Sequence, residues 1–445
     1  MKKILVLGAG FVSKPLVDYF IETCGYSVVI ATRTVSKAER IINQRPAGHS
    51  VSWTIDDLGK LDDLVKESDL VVSLIPPTFH IPVAETCIRQ GKDMVTTSYL
   101  SQEMLELHEK AQEREVLILN EIGEDPGIDH MGAKKMIDEI KEVGGRVTAV
   151  TSYGAGLPSF ESNRNPFGYK FSWSPRGVMM AAQTPAAYVK EGERIDVPGD
   201  KLFEHHWLVD IDGIGTFETY PNRDSTIYLK YYDLKPDVSL YRGLLRFTGY
   251  CNTMRSIIQL NLLEATKKRS FKGVTYLKFL NSLIEITSAE DSVDEVARYL
   301  DVESNDDVIK KLKWLGLFDD LLIPIDEGTN VDVLVDLMIR KMSYSAGEKD
   351  MIIVHDEIVA DIEGGTEMHT SSMVVEGIPN GDSAMSRAVS LPAAIASKLI
   401  LEEKITLKGI QIPTAKEIYE PVLEELAEFG FEFKHRIKQL NKEDS

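Results

Sequence analysis

Cysteine is scarce in this 445-residue chain: Cys24, Cys87 and Cys251 are all there is, far apart and odd in number. No C-x-x-C pair exists. This excludes a disulfide framework and the usual structural zinc spacings, and it sets a reduced, cytoplasmic compartment as the expectation. Positive charge is also short. Fifty Lys and Arg against 70 Asp and Glu leave a net charge of -20, a balance unsuited to nucleic acid or an anionic membrane as partner. Anionic ligands must therefore be met by arginines and lysines gathered locally. Long apolar runs are missing too: none reads as a membrane span. The apolar start "ILVLGAG" leads into glycines, where a signal peptide would carry a small-residue cleavage site. Internal repeats and low-complexity segments are absent.

What is present is an ordinary globular composition, 43% hydrophobic and 27% charged, on a chain too long for one hydrophobic core. The first part alternates strand and helix. "KKILVLGAG", "SVVIATRT", "DLVVSLIPP", "KDMVTTSYL" and "EVLILNEIG" read as strands, and "KPLVDYFIETC" as a helix. Continuous apolar strands separated by helices imply a parallel sheet covered on both faces. After Asp129 the rhythm changes. "HMGAKKMIDEIKEVGG" reads as a helix and "RVTAVTSYGAGLP" as a strand running into a loop, with further strands at "GTFETYPN" and "SLYRGLLRFTGY". Residues 256 to 349 read as almost wholly helical, with Val308, Leu312 and Leu315 on one face. Gly364-Gly365 joins two strand-like runs as a hairpin. "SRAVSLPAAIASKLIL" is a helix rich in small residues, and the charged tail "KQLNKEDS" is expected to fray.

The chemistry starts at "GAGFVS". Gly8 permits a tight turn out of the first strand, Gly10 lets backbone approach a pyrophosphate, and Ser13 holds the third position, where helix meets strand and a small residue is needed. The second strand ends in Thr32-Arg33, where an NAD site usually places an acid. A guanidinium pairs with a 2′-phosphate that a carboxylate would repel, so NADP is favoured over NAD. Ligands of such a sheet lie beyond the carboxyl ends of its strands, which makes Ile75, Pro76, Thr97, Ser98 and Tyr99 candidates for the nicotinamide half. His80 reads as a hydrogen-bonded loop histidine ahead of a catalytic one. The acidic stretch "NEIGEDPGIDHM" reads three ways at this level: metal site, acid/base centre or solvated turn.

Together "GAGFVSKPL", "SLIPPTFH", "VTTSYLS", "NEIGEDPGIDHM", "GYKFSWSPRGV", "YPNRDST", "LYRGLLRFTGY" and "KWLGLF" resemble the glutamate-forming saccharopine dehydrogenases, in order and over nearly the full length. The resemblance implies an α/β fold with a Rossmann dinucleotide-binding domain at 1-125 onto which 392-445 packs back. It implies a mixed α/β substrate and dimerisation domain at 126-255 plus 350-391, and an all-helical domain at 256-349. It implies a homodimer that uses NADP and no metal. Glutamate and 2-aminoadipate 6-semialdehyde condense to an imine that is reduced to saccharopine. Phe11, Val12, Thr34, Asp125, Pro126 and Trp173 join the cofactor positions. Ser98, Tyr99, Asp125, Arg223, Leu244, Leu245 and Arg246 join the substrate positions, with Arg242 as a weaker addition. Asp125 is the acid/base candidate, and Tyr99 and Lys170 are second choices. The family commonly carries "SYCGGLP", so Gly154 stands here in place of a cysteine, and no thiol can act at that point. A lysine-ketoglutarate reductase is expected as a separate protein. Three alternatives stay open: a related imine reductase such as a carboxynorspermidine dehydrogenase, an inactive nucleotide-binding regulator, and a metal hydrolase built on Asp125, Asp129 and His130.

Overall fold

The computed structural model describes residues 1–284 and 292–440. The chain separates into two compact units. The first comprises Met1–Gly154, Lys230–Lys235 and Met351–Ser445, and the second Ala155–Leu229 and Pro236–Asp350.

The first unit is built on parallel strands β1 (Lys3–Leu7), β2 (Ser27–Thr32), β3 (Gly48–Ser52), β4 (Leu70–Ser73), β5 (Asp93–Thr96) and β6 (Leu117–Leu119). With the strand Gly409–Gln411 they form a seven-stranded sheet in the order Gly409–Gln411, β6, β5, β4, β1, β2, β3. The period-2 pleat divides each apolar run between two cores. Ile4 and Val6 of β1, with Val28 and Ile30 of β2, enter one cluster. Leu5, Leu7, Val29 and Ala31 enter the other. This double burial is why the strands read as unbroken apolar runs. The first glycine turn leads into the helix Ser13–Asp18, which continues as a π-helical turn over Tyr19–Thr23.

The small-residue helix Ala384–Leu401 packs on the first of these cores through Ala388, Leu391, Ala393, Ile395 and Leu399. By length and composition it could cross a membrane, contrary to the expectation that no run would. Here it is a core helix, 78% buried. The hairpin forms as expected, with Ile362 opposite Gly365. Of the tail expected to fray, Lys438, Gln439 and Leu440 instead end the strand Lys434–Leu440, which pairs antiparallel with Gly365–Glu376, Leu440 opposite Thr366. The tail residues 441 to 445 lie outside the described residues. "RVTAVTSYGAGLP" is strand throughout, β7 (Arg146–Pro158), and the irregular stretch begins after it at Ser159.

The second unit has antiparallel strands Trp207–Ile211, Gly215–Pro221 and Ser239–Arg246, and a hairpin of Ala186–Lys190 with Glu193–Val197. Helices Tyr250–Gln259, Tyr276–Leu283, Ser292–Leu300, Asp307–Leu315 and Asn330–Met342 follow. Asp306 caps the fourth by accepting the Val308 N–H at 2.8 Å, and Val308, Leu312 and Leu315 are buried as the spacing predicts. Within the stretch read as all-helical, a short antiparallel pair, Arg269–Ser270 with Glu327–Gly328, interrupts the helices.

Candidate active site

In the first unit the glycine turn leaves β1 as anticipated. Gly8 has φ 110°, and a Cβ there would stand 3.1 Å from the Leu74 carbonyl oxygen where the chain leaves β4. A Cβ on Gly10 would meet no heavy atom within 4 Å, so its face is open to a ligand. Ser13 is fully buried. Its hydroxyl accepts the Gly10 N–H at 3.0 Å and donates to the Gly8 carbonyl at 3.3 Å. The serine therefore does more than be small: it braces the loop from inside. Phe11 is 73% exposed and Val12 is buried.

Thr32 ends β2, and its hydroxyl accepts the Thr34 N–H at 3.3 Å. Arg33 between them is exposed and makes no ion pair among the described residues. These residues fit NADP, with an open backbone cradle at Gly10 and a guanidinium available at the ribose end of the sheet. Ile75 is half-buried and Pro76 exposed just beyond β4, while Thr97, Ser98 and Tyr99 follow β5, all half-buried.

His80 opens the helix His80–Gln90 and does not lie in a loop. Nδ1 lies 2.9 Å from Ser73 Oγ, and Nε2 lies 3.0 Å from Ser98 Oγ. Burial pushes its pKa down to about 4, which keeps the ring neutral. It reads as a support for Ser98.

The acidic stretch is almost entirely interior. Between Asn120 and Met131, Asp125 alone is partly exposed, and the other members are buried. The Asp125-Pro126 bond is cis. The turn closes through Gly123 N–H to the Pro126 carbonyl, 2.9 Å, and Ile128 N–H to the Gly123 carbonyl, 3.0 Å. Gly127, at φ 148°, lies so close to the Gly123 backbone that a Cβ would overlap it. The Tyr99 hydroxyl donates to Asp125 Oδ1 at 2.8 Å. Gly154 of β7 lies against the same carboxylate: a Cβ there would stand 2.7 Å from Asp125 Oδ2. Asp129 sits in the first turn of Ile128–Glu142 and accepts the Gly127 N–H at 2.6 Å. Both His130 ring nitrogens are engaged, Nε2 by Glu121 at 2.9 Å and Nδ1 by the Tyr232 hydroxyl at 2.7 Å. Neither is left to ligate a metal, which removes the ground for the hydrolase alternative. Sequence reasoning assigned Glu121 no role and could not have found Tyr232, about a hundred residues away.

In the second unit Arg246 ends the strand Ser239–Arg246, 6% exposed. The rings of Tyr169, Tyr250 and Tyr220 surround its guanidinium at 5.3, 5.4 and 5.8 Å. Nη1 donates to the Leu245 carbonyl at 2.8 Å, while Nε has no hydrogen-bond partner. No ion pair engages it among the described residues. A buried cation without a carboxylate is built to receive an anion or is a liability. Leu245 is fully buried and Leu244 half-buried. Arg223 is exposed at φ 56°, uncommon for a side chain this long. Arg242 is buried against the Tyr228 ring, 4.8 Å away. Lys170 is buried, and its ammonium pairs with Glu348. Trp173 is 37% exposed, just ahead of the helix Pro175–Ala181.

A parallel sheet with an open glycine turn, an arginine in place of the ribose acid and a half-buried carboxylate, Asp125, beyond β6 define an NADP-dependent oxidoreductase. Comparison with known families narrows this. The saccharopine dehydrogenase NADP binding domain matches residues 4–119, and the saccharopine dehydrogenase C-terminal domain matches residues 123–431. The chain belongs to the saccharopine dehydrogenase family. It is 35% identical to saccharopine dehydrogenase [NADP(+), L-glutamate-forming] of Pyricularia oryzae, over 98% of this chain and 99% of that one. It is 34% identical to the Saccharomyces cerevisiae protein of the same name, over 98% and 99%. The mitochondrial alpha-aminoadipic semialdehyde synthase of Bos taurus is 35% identical over 96% of this chain, which spans 47% of that longer protein. The apo structure of saccharopine dehydrogenase (L-Glu forming) from Saccharomyces cerevisiae superimposes with a TM-score of 0.89 at 32% identity, covering 98% of this chain and all of that one.

Proposed function

We propose that this chain is an NADP-dependent oxidoreductase acting on a secondary amine. It interconverts saccharopine with L-glutamate and 2-aminoadipate 6-semialdehyde through an imine, in lysine metabolism. Asp125 carries the reading at the level of mechanism: one partly exposed carboxylate in an otherwise buried stretch, hydrogen-bonded by Tyr99.

The bound cofactor supplies the hydride chemistry, and the protein supplies orientation and proton handling. In the oxidative direction the secondary amine must be neutral before its carbon can give up hydride, and we assign acceptance of that proton to Asp125. Tyr99, already donating to Oδ1, fixes the carboxylate's direction and satisfies one oxygen. Water adds to the imine carbon, the carbinolamine C–N bond breaks, and glutamate leaves with the nitrogen and a proton. Lys170 is left out of these steps, because its ammonium is engaged by Glu348. Arg246 and Arg223 are assigned to substrate carboxylates, of which saccharopine has three. A guanidinium fork suits that task, and a diamine-joining imine reductase has less use for it. We further propose that the enzyme works as a homodimer, which sedimentation analysis should show as about twice 49.8 kDa.

The test is substrate choice. NADPH oxidation should require glutamate and the semialdehyde together, and Asp125→Asn should depress turnover more than NADPH binding. Binding of NADPH with no turnover on any amine would favour the inactive regulator.

A further inference from the structure

The turn that presents Asp125 is fastened by buried polar groups that the proton steps do not use. Glu121 is 1% exposed and has φ 58°, the left-handed region. Its carboxylate reaches in two directions. One oxygen accepts the Leu100 N–H at 2.8 Å, one residue beyond Tyr99. The other lies 2.9 Å from His130 Nε2, in the first turn of the helix that leaves the Asp125 turn. His130 Nδ1 lies 2.7 Å from the Tyr232 hydroxyl. His130 and Tyr232 are both fully buried.

Burying three such groups is unfavourable unless each finds partners, and once partnered they hold their neighbours in one geometry. These partners are specific. Glu121 connects the two backbone stretches whose side chains, Tyr99 and Asp125, meet at 2.8 Å. A shift of the carboxylate would move Leu100, and Tyr99 with it. A shift of His130 would move the start of the helix, and Gly127 and Asp125 with it. Tyr232 closes the second ring nitrogen and so fixes the imidazole's orientation.

We propose that Glu121, His130 and Tyr232 are positioning residues for the reaction, holding the Tyr99 hydroxyl and the Asp125 carboxylate in register. The proposal rests on the reading of Asp125 as the proton-transfer group. If the three merely filled the core, their substitution would lower stability and amount of folded enzyme without changing turnover per folded molecule.

The test is a double-mutant cycle on the full chain. Glu121→Gln and Tyr232→Phe are each made alone and on Asp125→Asn, and kcat, KM and the NADPH dissociation constant are measured. Thermal melts count the folded enzyme. Glu121→Gln and Tyr232→Phe are each expected to lower kcat by between about tenfold and a hundredfold, as small misplacements do, with NADPH binding within about twofold. On Asp125→Asn neither should lower kcat further, because the group they position is already disabled. If Glu121→Gln does not fold, Tyr232→Phe, which keeps the ring, carries the comparison. Losses that multiply with Asp125→Asn, or that vanish once folded enzyme is counted, overturn the proposal and leave Asp125 in place. Full turnover by Asp125→Asn itself overturns both.

Discussion

Gly154→Ala is the sharpest small perturbation of the proposed proton site. A methyl carbon at this position would stand 2.7 Å from Asp125 Oδ2, 3.2 Å from its Cβ and 3.3 Å from its Cγ. The closest of these distances is well inside van der Waals contact, so the carboxylate must turn away. Its hydrogen bond from Tyr99, 2.8 Å in the native geometry, would then be lost or badly bent. A hydrogen bond to a charged group contributes about 1.5–3 kcal/mol, and about 1.4 kcal/mol is a tenfold change in rate. The expected outcome is a fall in kcat/KM for saccharopine of roughly 10- to 150-fold. NADPH affinity should hold within about twofold, since the glycine turn at Gly8 and Gly10 is untouched, an independence expected of distant sites. Gly154 lies in β7, where alanine is no worse than glycine for the backbone, so the thermal midpoint should fall only by what the lost Tyr99–Asp125 hydrogen bond contributes. Steady-state kinetics, a fluorescence titration of NADPH and a thermal melt decide the matter. Wild-type kcat/KM in a folded Gly154→Ala enzyme would refute the claim that Asp125 needs its present pose.

Other substitutions test separate parts of the account. Arg33→Ala should weaken NADPH binding by about tenfold, the low end of a charge-assisted hydrogen bond at an exposed site, and leave NADH unchanged; equal losses for both would remove Arg33 from the 2′-phosphate. Arg246→Met removes a guanidinium that three tyrosine rings surround, and should raise KM for saccharopine by at least about tenfold; an unchanged KM would end its carboxylate role. His80 has a folded pKa of about 4 against about 6.5 unfolded, so the unfolded chain takes up the proton first. Its stabilising share is complete above about pH 6.5 and lost as pH falls toward 4, a total of about 3 kcal/mol. Urea titrations should show a shallower acid loss in His80→Gln, and parallel curves would contradict the assignment. Gly127→Ala forces a side chain into the Gly123 backbone at positive φ, and should lower stability by at least about 3 kcal/mol in the same titrations.

The parallel sheet was legible because both its faces are buried. That double burial wrote Ile4 to Leu7 and Val28 to Ala31 as unbroken apolar runs. β3 and Gly409–Gln411 were not legible. Both are edge strands: β3 is largely half-exposed and lacks a continuous run, and Gly409–Gln411 has only three residues. The pairing of Lys434–Leu440 was hidden because all its residues but Leu440 are exposed, so it carries the polarity of a frayed end. In the site, Gly8, Gly10 and Ser13 announced themselves by spacing, and Thr32-Arg33 by charge. The acidic stretch named Asp125 only through family resemblance. What separates Asp125 from Glu121, Asp129 and His130 is exposure. That follows from contacts with Leu100, Gly154 and Tyr232, which no local pattern records. The same holds for Arg246, whose tyrosine surround comes from positions 169, 220 and 250.

The most direct test of the central claim is product identification in the reductive direction. Purified enzyme is given NADPH and 2-aminoadipate 6-semialdehyde, with glutamate in one reaction and a diamine in another, and the amine product is identified by mass. The account predicts saccharopine with glutamate, no secondary-amine product with the diamine, and a much slower reaction when NADH replaces NADPH. A secondary amine formed from the diamine, with no saccharopine from glutamate, would contradict it.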